Sequence, residues 1–329
     1  MRVARLFALS LATLSVTAAA GCHLYFGEGD DGDDEPPPLD GGDPFPDAGD
    51  VDAPQGFTLP TAPTRANRRV GDAWQDDGLA DWACLDTPTS DQPSTGSIQL
   101  SGRVLELGRQ EGVGAAAIVA YAPSTSAIVG EGTSLSGAAT RGQYAMTLAM
   151  LPATSRRYTF VLSALDHVGT YVLERYVPPG ATATTDLAIV SHATLASYPA
   201  AAGLTRPTNT ATVFGAVVDC RGRRVSNAVV IASRTRSAFD PVTGVQSLYH
   251  APGATGLPAP PSEQPVSNQD GRYLLLGVPP ITAGVAVQVY GYRTPDDLAL
   301  GNLVLLGQVW SPAQSDTAVI ADLEPRRRP

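Results

Sequence analysis

Glycine and proline interrupt this chain at short intervals, so the apolar stretches between them are brief. The chain holds 33 glycines and 28 prolines. Glycine weakens helices through backbone entropy, and proline removes a backbone donor and clashes with the preceding helical turn. Outside the N-terminal region, no stretch has the period of a convincing amphipathic helix. This composition therefore predicts turn-rich β structure, and the length of the chain suggests two domains of about 100 residues each.

Apolar blocks with β-strand character form two similar series, separated by Gly, Pro, Ser and Thr turns. The first series comprises Ile98–Val104, Ala117–Tyr121, Tyr144–Leu148, Tyr158–Leu162 and Tyr171–Val177. The second comprises Val213–Val218, Ala228–Ile231, Tyr273–Leu276, Val285–Tyr290 and Leu303–Val309. This spacing is typical of Ig-like sandwiches. We predict an all-β protein with tandem β-sandwich domains at residues 96–198 and 208–325.

Three segments of the second series carry a family resemblance: Gly215–Gly222, Val225–Ile231 and Asn268–Pro279. They resemble the carboxypeptidase regulatory-like domain, a transthyretin-like or prealbumin-like β-sandwich that occurs as repeats in bacterial surface proteins. The first series echoes this pattern in Gly102–Glu106, Val113–Val119 and Thr140–Tyr144, without the acidic residue before Gly142. In carboxypeptidases the catalysis belongs to a separate zinc domain. The resemblance therefore implies a fold and no peptidase activity.

The first residues have the features of an export signal. Arg2 and Arg5 precede an apolar run, Leu6–Ala20, that is short for a membrane span. With Cys22 close behind, residues 1–21 resemble bacterial lipoprotein signal peptides, in which the cysteine is lipidated and becomes the new N-terminus. The resemblance implies an acyl anchor on Cys22 and membrane lipid as a partner. Cleavage after Ala20, which would release a soluble protein, and an uncleaved N-terminal anchor stay open as alternatives.

The residue after the cysteine bears on location. In many diderm bacteria an aspartate at this position retains a lipoprotein at the inner membrane. Here the residue is His23. We therefore expect a lipid-anchored protein of the cell envelope, at the outer membrane.

Residues 22–66 are predicted to be a disordered tether. Between His23 and Gly56 there are 11 acidic residues and no Lys or Arg, with many Gly and Pro. Such a segment has little to bury, and its like charges extend it. Calcium binding by these aspartates is an open alternative, although the ligand spacing of an EF-hand loop is missing.

A lead-in segment at residues 67–95 follows and contains Trp74, Trp82 and Cys84. We expect the two tryptophans to pin it onto the first domain. The alternative is that the tryptophans form a sugar-stacking platform, because aromatic faces suit carbohydrate rings. Once Cys22 is assigned to lipid, Cys84 and Cys220 remain as an even pair in an oxidising compartment. A disulfide between them is predicted, with two separate thiols as the alternative.

A long Pro-rich stretch lies between Ile231 and Asp270 in the second domain. Structureless loops beyond about 12 to 15 residues are uncommon in compact domains and are often functional. We expect a small hairpin around Gly244 followed by a mobile flap. Tyr249 and His250 are its candidate ligand-contacting residues.

Composition excludes several functions. The formal net charge is -10, but outside the leader and the acidic stretch His23–Gly56 there are 21 acidic and 20 basic residues, so no cationic surface for nucleic acid is expected. All 22 basic residues are Arg, which excludes lysine chemistry. The four histidines are isolated and lack the spacing of a zinc site: His23, His167, His192 and His250. We predict no catalytic residue, no cofactor and no metal.

The sequence thus favours a non-catalytic envelope lipoprotein whose sandwiches serve as structural, adhesion or binding modules. A carbohydrate-binding surface lipoprotein is the alternative, followed by an enzyme of unrecognised type. Beyond membrane lipid, the expected partner is an envelope protein or polysaccharide.

Overall fold

The computed structural model describes residues 57–89, 91, 96–122, 127–149, 156–236, 238–252 and 256–327. Strands dominate this part of the chain, and only two short helices occur in it. The predicted all-β fold class is confirmed. The leader, Cys22 and most of the predicted tether lie outside the described residues.

Ten strands precede the first helix: β1 (Arg65–Val70), β2 (Ala73–Leu79), β3 (Ile98–Glu106), β4 (Ala117–Tyr121), β5 (Ile128–Thr133), β6 (Gln143–Leu148), β7 (Arg157–Ser163), β8 (Thr170–Tyr176), β9 (Thr182–Thr184) and β10 (Leu187–Ile189). The remaining elements are α1 (His192–Ala201), β11 (Ala211–Ala216), β12 (Arg224–Ser226), β13 (Val229–Ser233), β14 (Gln246–Tyr249), β15 (Arg272–Val278), β16 (Ile281–Gly291), α2 (Pro295–Ala299), β17 (Val304–Ala313) and β18 (Ala318–Ile320).

The strands form four sheets. The largest has eight strands in the order β14-β15-β11-β18-β8-β7-β4-β5, so strands of both halves share it. A four-stranded sheet of β10, β3, β6 and β9 belongs to the first half, and a three-stranded sheet β13-β16-β17 belongs to the second. The fourth sheet, β12-β1-β2, adds the lead-in hairpin to the second half.

Strand β18 joins the two halves. It pairs in parallel with β11 on one side, where Val319 lies opposite Val213, and with β8 on the other, where Val319 lies opposite Tyr171. A core cluster at this junction takes Leu195 from α1 and Leu274 from β15. The halves are therefore connected by backbone pairing as well as by apolar packing.

The two helices were not predicted from the sequence. The apolar residues of α1 do not gather on one face, so the helix has no period that a sequence pattern could reveal. Its start is set by Ser191, whose Oγ accepts a hydrogen bond from the Thr194 N–H at 3.1 Å. In α2, Thr294 and Asp297 form a capping box.

Residues 57–66, predicted to end the disordered tether, instead pack on the second half. Thr64 and Ala66 are fully buried, and Phe57 contacts the apolar cluster around Tyr290. Strand β1 begins within this range and pairs with β12. The predicted tether limit of residue 66 is therefore wrong, because these residues have long-range partners that local composition does not reveal.

One hydrogen-bonded corner is built twice, once in each half. In the first half, Tyr144 Oη donates to the Thr185 carbonyl at 2.7 Å. In the second, Tyr273 Oη donates to the Ala321 carbonyl at 2.5 Å. Both tyrosines are buried, so each fixes a strand of its sheet against the segment that supplies the carbonyl.

A glycine faces the same carbonyl in each corner. A Cβ placed on Gly102 would lie 1.9 Å from the Thr185 oxygen, and one on Gly215 would lie 1.9 Å from the Ala321 oxygen. Since unbonded carbon atoms normally stay about 3.5 Å or more from their neighbours, only glycine fits either position.

A serine completes the match. Ser134 Oγ accepts a hydrogen bond from the Ala116 N–H at 2.9 Å, and Ser267 Oγ accepts one from the Ala228 N–H at 2.9 Å. The two halves are therefore structural repeats at this corner, which the sequence echo had suggested only weakly. The domain limits 96–198 and 208–325 stay a prediction.

Candidate functional site

The predicted disulfide is present and joins the lead-in segment to the second half. Cys84 and Cys220 are bonded, with their Cα atoms 5.8 Å apart. Cys220 lies in the turn between β11 and β12, and its backbone N–H donates to the Asp81 carbonyl at 2.9 Å. The bond therefore fixes the lead-in segment against the first turn of the second repeat, as expected from the sequence.

A buried carboxylate organises this turn. The side chain of Asp219 is fully buried and accepts backbone N–H bonds from Asp81, Arg221 and Arg223 at 2.9 to 3.1 Å. The Arg223 guanidinium lies 2.7 Å from the same carboxylate. These bonds satisfy the carboxylate within the fold, as a buried charge requires, so Asp219 has a structural role.

Of the two tryptophans of the lead-in segment, Trp82 packs on the second half, so the expectation that it lies on the first half is wrong. Trp82 is half-buried against the core of the second repeat, and its Nε1 donates to Thr64 Oγ1 at 2.9 Å. Trp74 lies on β2 opposite Arg69 and is also half-buried. The pairing of β1 with β12 and the disulfide are the physical reason for this placement. The two indole rings make no ring contact with each other in the described part of the chain.

The candidate ligand residues of the Pro-rich stretch face the interior. Tyr249 is 1% exposed, and its Oη accepts a hydrogen bond from the Val230 N–H at 2.8 Å. Burial raises the pKa of the Tyr249 phenol. His250 is 3% exposed and packs against the ring of Tyr198, with the ring centroids 6.1 Å apart. In this structure neither side chain presents a surface for a ligand.

The buried His250 also makes a side-chain contact that the sequence did not reveal. His250 Nδ1 is 3.0 Å from Asp270 Oδ2. Sequence reasoning marked Asp270 only as a turn residue, because the register that places Tyr249 opposite Tyr273 is not visible in the chain's pattern. Burial by itself raises the pKa of Asp270, but the hydrogen bond and charge of His250, together with Arg272, outweigh it and lower the pKa below 3.8.

This lowered pKa predicts a pH-dependent contribution to stability. A carboxylate with a depressed folded-state pKa stabilises the fold above its unfolded pKa, and the stabilisation is lost as the pH falls through the folded value. We expect Asp270→Asn to lower the free energy of unfolding by about 1 to 3 kcal/mol at neutral pH. Urea unfolding of both proteins should show this difference shrinking toward zero as the pH falls through the lowered folded-state pKa of Asp270.

The asparagine variant is a matched comparison. Its side-chain oxygen can still accept the Arg272 N–H, which Asp270 Oδ1 accepts at 2.9 Å. The other carboxylates titrate alike in both proteins, so their effects cancel. A stability difference of the same size at acidic and neutral pH would contradict the prediction.

No family model matches the chain, and no curated protein does. Among solved structures, the shaft pilin SpaA from Lactobacillus rhamnosus GG is 9% identical over 71% of this chain and 98% of its own, with a TM-score of 0.19. A leucine-rich repeat protein from Bacteroides thetaiotaomicron is 10% identical over 71% of this chain and 26% of its own, with a TM-score of 0.21. Scores this low carry no argument about function.

In the part of the chain that the structure describes, no group of three or more His, Cys, Asp or Glu side chains could hold a metal ion. Neither described helix is long and apolar enough to span a bilayer.

Further polar and aromatic features escaped the sequence reasoning. The Arg236 guanidinium lies 4.7 Å from the ring centre of Trp310. Arg103 and Arg141 line a depression in the first repeat. No local motif marks these residues, because strand pairing brings each set together from distant parts of the chain.

Proposed function

We propose that this chain is a non-catalytic cell-envelope lipoprotein whose paired β repeats form a structural, adhesion or binding module. The observation that carries the proposal is the eight-stranded sheet shared by both halves, with β18 between β11 and β8. A continuous sheet resists bending between its halves, which suits a unit that presents a surface at a distance from a membrane.

The disulfide supports export. Disulfides persist in oxidising compartments and are rare in the cytosol, where thiols are kept reduced. The Cys84–Cys220 bond is thus consistent with the export signal inferred from the first residues of the chain.

The proposed anchor is an acylated Cys22, with membrane lipid as its partner and the outer membrane as its location. Each buried CH₂ of an acyl chain contributes about 0.8 kcal/mol, so two or more chains hold a protein stably at a bilayer. An acidic segment between the anchor and the first strand then acts as a spacer.

The non-catalytic part of the proposal draws on how polar side chains are used. The carboxylate of Asp219 serves a turn, and that of Asp270 pairs with the buried His250. Charged groups that catalysis could recruit are engaged by the fold at both places.

Intact mass and membrane fractionation of the expressed protein test the anchor. We expect the native chain to carry acyl groups on an N-terminal Cys22 and to sediment with membranes, and a Cys22→Ser variant to lose both properties. The matched control is the double variant Cys84→Ser with Cys220→Ser, which keeps Cys22 and should stay with the membranes. A native chain that starts at Gly21, without acyl groups and in the soluble fraction, would overturn the proposed anchor.

A further inference from the structure

In the first repeat, Gly102 and Tyr144 meet the Thr185 carbonyl and form one copy of the doubled corner. In the first repeat it opens into a depression of about 520 Å³, between the ends of β3 and β6 and the preceding turn. The depression is lined by Arg103, Glu111, Gly112, Arg141, Gln143 and the turn residues Ala138 and Ala139. No aromatic ring lines it, so it suits a small hydrophilic ligand.

The two arginines of this depression have no ion-pair partner. In the described part of the chain, most arginine side chains lie within 4.0 Å of a carboxylate. Arg103 and Arg141 make no such contact with any described residue. Two guanidiniums line one depression, with Glu111 as its single acidic residue. The lining therefore carries a net positive charge of one, and both forks are available for an anion.

The second repeat shows which residues the corner needs and which residues occur only in the first repeat. The matching hydrogen bonds align Gly102 with Gly215 and Tyr144 with Tyr273, so Arg103 corresponds to Ala216 and Arg141 to Asp270. The second repeat forms the same corner with alanine and aspartate at these two positions. Neither arginine is needed for the fold.

Gly112 keeps the depression open. A Cβ at this position would lie 2.2 Å from the Arg141 carbonyl oxygen and 3.0 Å from Arg103 Nη2. Its counterpart in the second repeat is Arg224, because Gly112 bridges to Leu105 as Arg224 bridges to Val218. The first repeat thus has a glycine where the second has a large side chain.

We propose that this depression binds the oxyanion group of a small hydrophilic ligand, with Arg103 and Arg141 as its two charged donors. The backbone N–H groups of Ala138 and Ala139 donate to no backbone acceptor in the described residues, so they are further donors at the same place. A carboxylate on a sugar and a free phosphate share the chemistry that two guanidiniums recognise. This site goes beyond the proposed module function and does not depend on the lipid anchor.

Binding is tested by calorimetric titration of the full chain with galacturonate, inorganic phosphate and neutral galactose at low ionic strength, where exposed charges are least screened. We expect saturable binding of at least one anion with a Kd of about 1 mM or tighter, and none of galactose. Whichever of the two anions binds identifies the source of the oxyanion.

The repeat supplies the test variants. Arg103→Ala and Arg141→Asp introduce the residues that the second repeat holds at these positions, so the corner should still form. We expect each to weaken anion binding about tenfold or more, since each removes one charge-assisted hydrogen-bond donor. Arg175→Gln is the matched control, because Arg175 has no ion-pair partner in the described part of the chain and lies outside the depression. Unchanged binding in both test variants, equal binding of galactose, or no saturable binding of either anion would overturn the proposal.

Discussion

Loss of the Cys84–Cys220 disulfide is expected to lower the free energy of unfolding by about 5 kcal/mol, the chain-entropy value for a closed loop of this size. The two cysteines are 136 residues apart, so the bond removes a large loop-closure entropy from the unfolded chain. Urea unfolding of the double variant Cys84→Ser with Cys220→Ser, compared with the native protein, measures the change. The chain-entropy value assumes a disulfide without strain, so about 5 kcal/mol is the upper bound on the loss of unfolding free energy.

Chemical reduction provides the control for this variant. Native protein unfolded in the presence of a thiol reductant should match the double variant, and the reductant should leave the variant itself unchanged. If the native and variant proteins unfold at the same urea concentration without reductant, the disulfide does not stabilise the fold as inferred.

Gly215→Ala is expected to destabilise the protein by about 3 kcal/mol or more, because overpacking against backbone cannot be relieved by a rotamer change. The new Cβ would lie 1.9 Å from the Ala321 oxygen and 2.7 Å from Tyr273 Oη. Relief of the clash must separate β11 from the segment after β18 and break the hydrogen bond between Tyr273 and Ala321. Thermal and urea unfolding measure the loss.

The repeat makes a second, independent version of this test. Gly102→Ala should cost a similar amount in the first half, since its Cβ meets the Thr185 oxygen at the same 1.9 Å. Gly169→Ala is the matched control, because its Cβ would meet only Thr317 Cγ2, at 4.0 Å. If all three variants are equally stable, the close approach is not a constraint on the fold.

The sequence predicted the features of this protein that depend on local pattern. Apolar alternation located most strands, and the turn around Gly271 and Tyr273 was recognised from its residues alone. The disulfide followed from counting cysteines and from the expected compartment. Each of these inferences needs only neighbouring residues or simple arithmetic, so no knowledge of long-range pairing was required.

What the sequence did not reveal depends on register between distant strands. The lead-in segment lies on the second half because β1 pairs with β12, across about half of the chain. Helix α1 carries no amphipathic period, so the N-cap residue Ser191 was the one feature of the sequence that could have indicated this helix. The His250–Asp270 pair and the Arg103–Arg141 depression arise where separate strands meet, and no motif in the chain announces either.

The position of β18 in the chain has a consequence for the order of folding. Chains emerge from the ribosome and from export channels in sequence order, and domains generally fold as they appear. Here the strand that lies between β8 and β11 is made after both of them. Until residues 318–320 emerge, each half has an unpaired strand edge of the kind that promotes aggregation. The two repeats must therefore wait for the same last strand, which makes their maturation a single event.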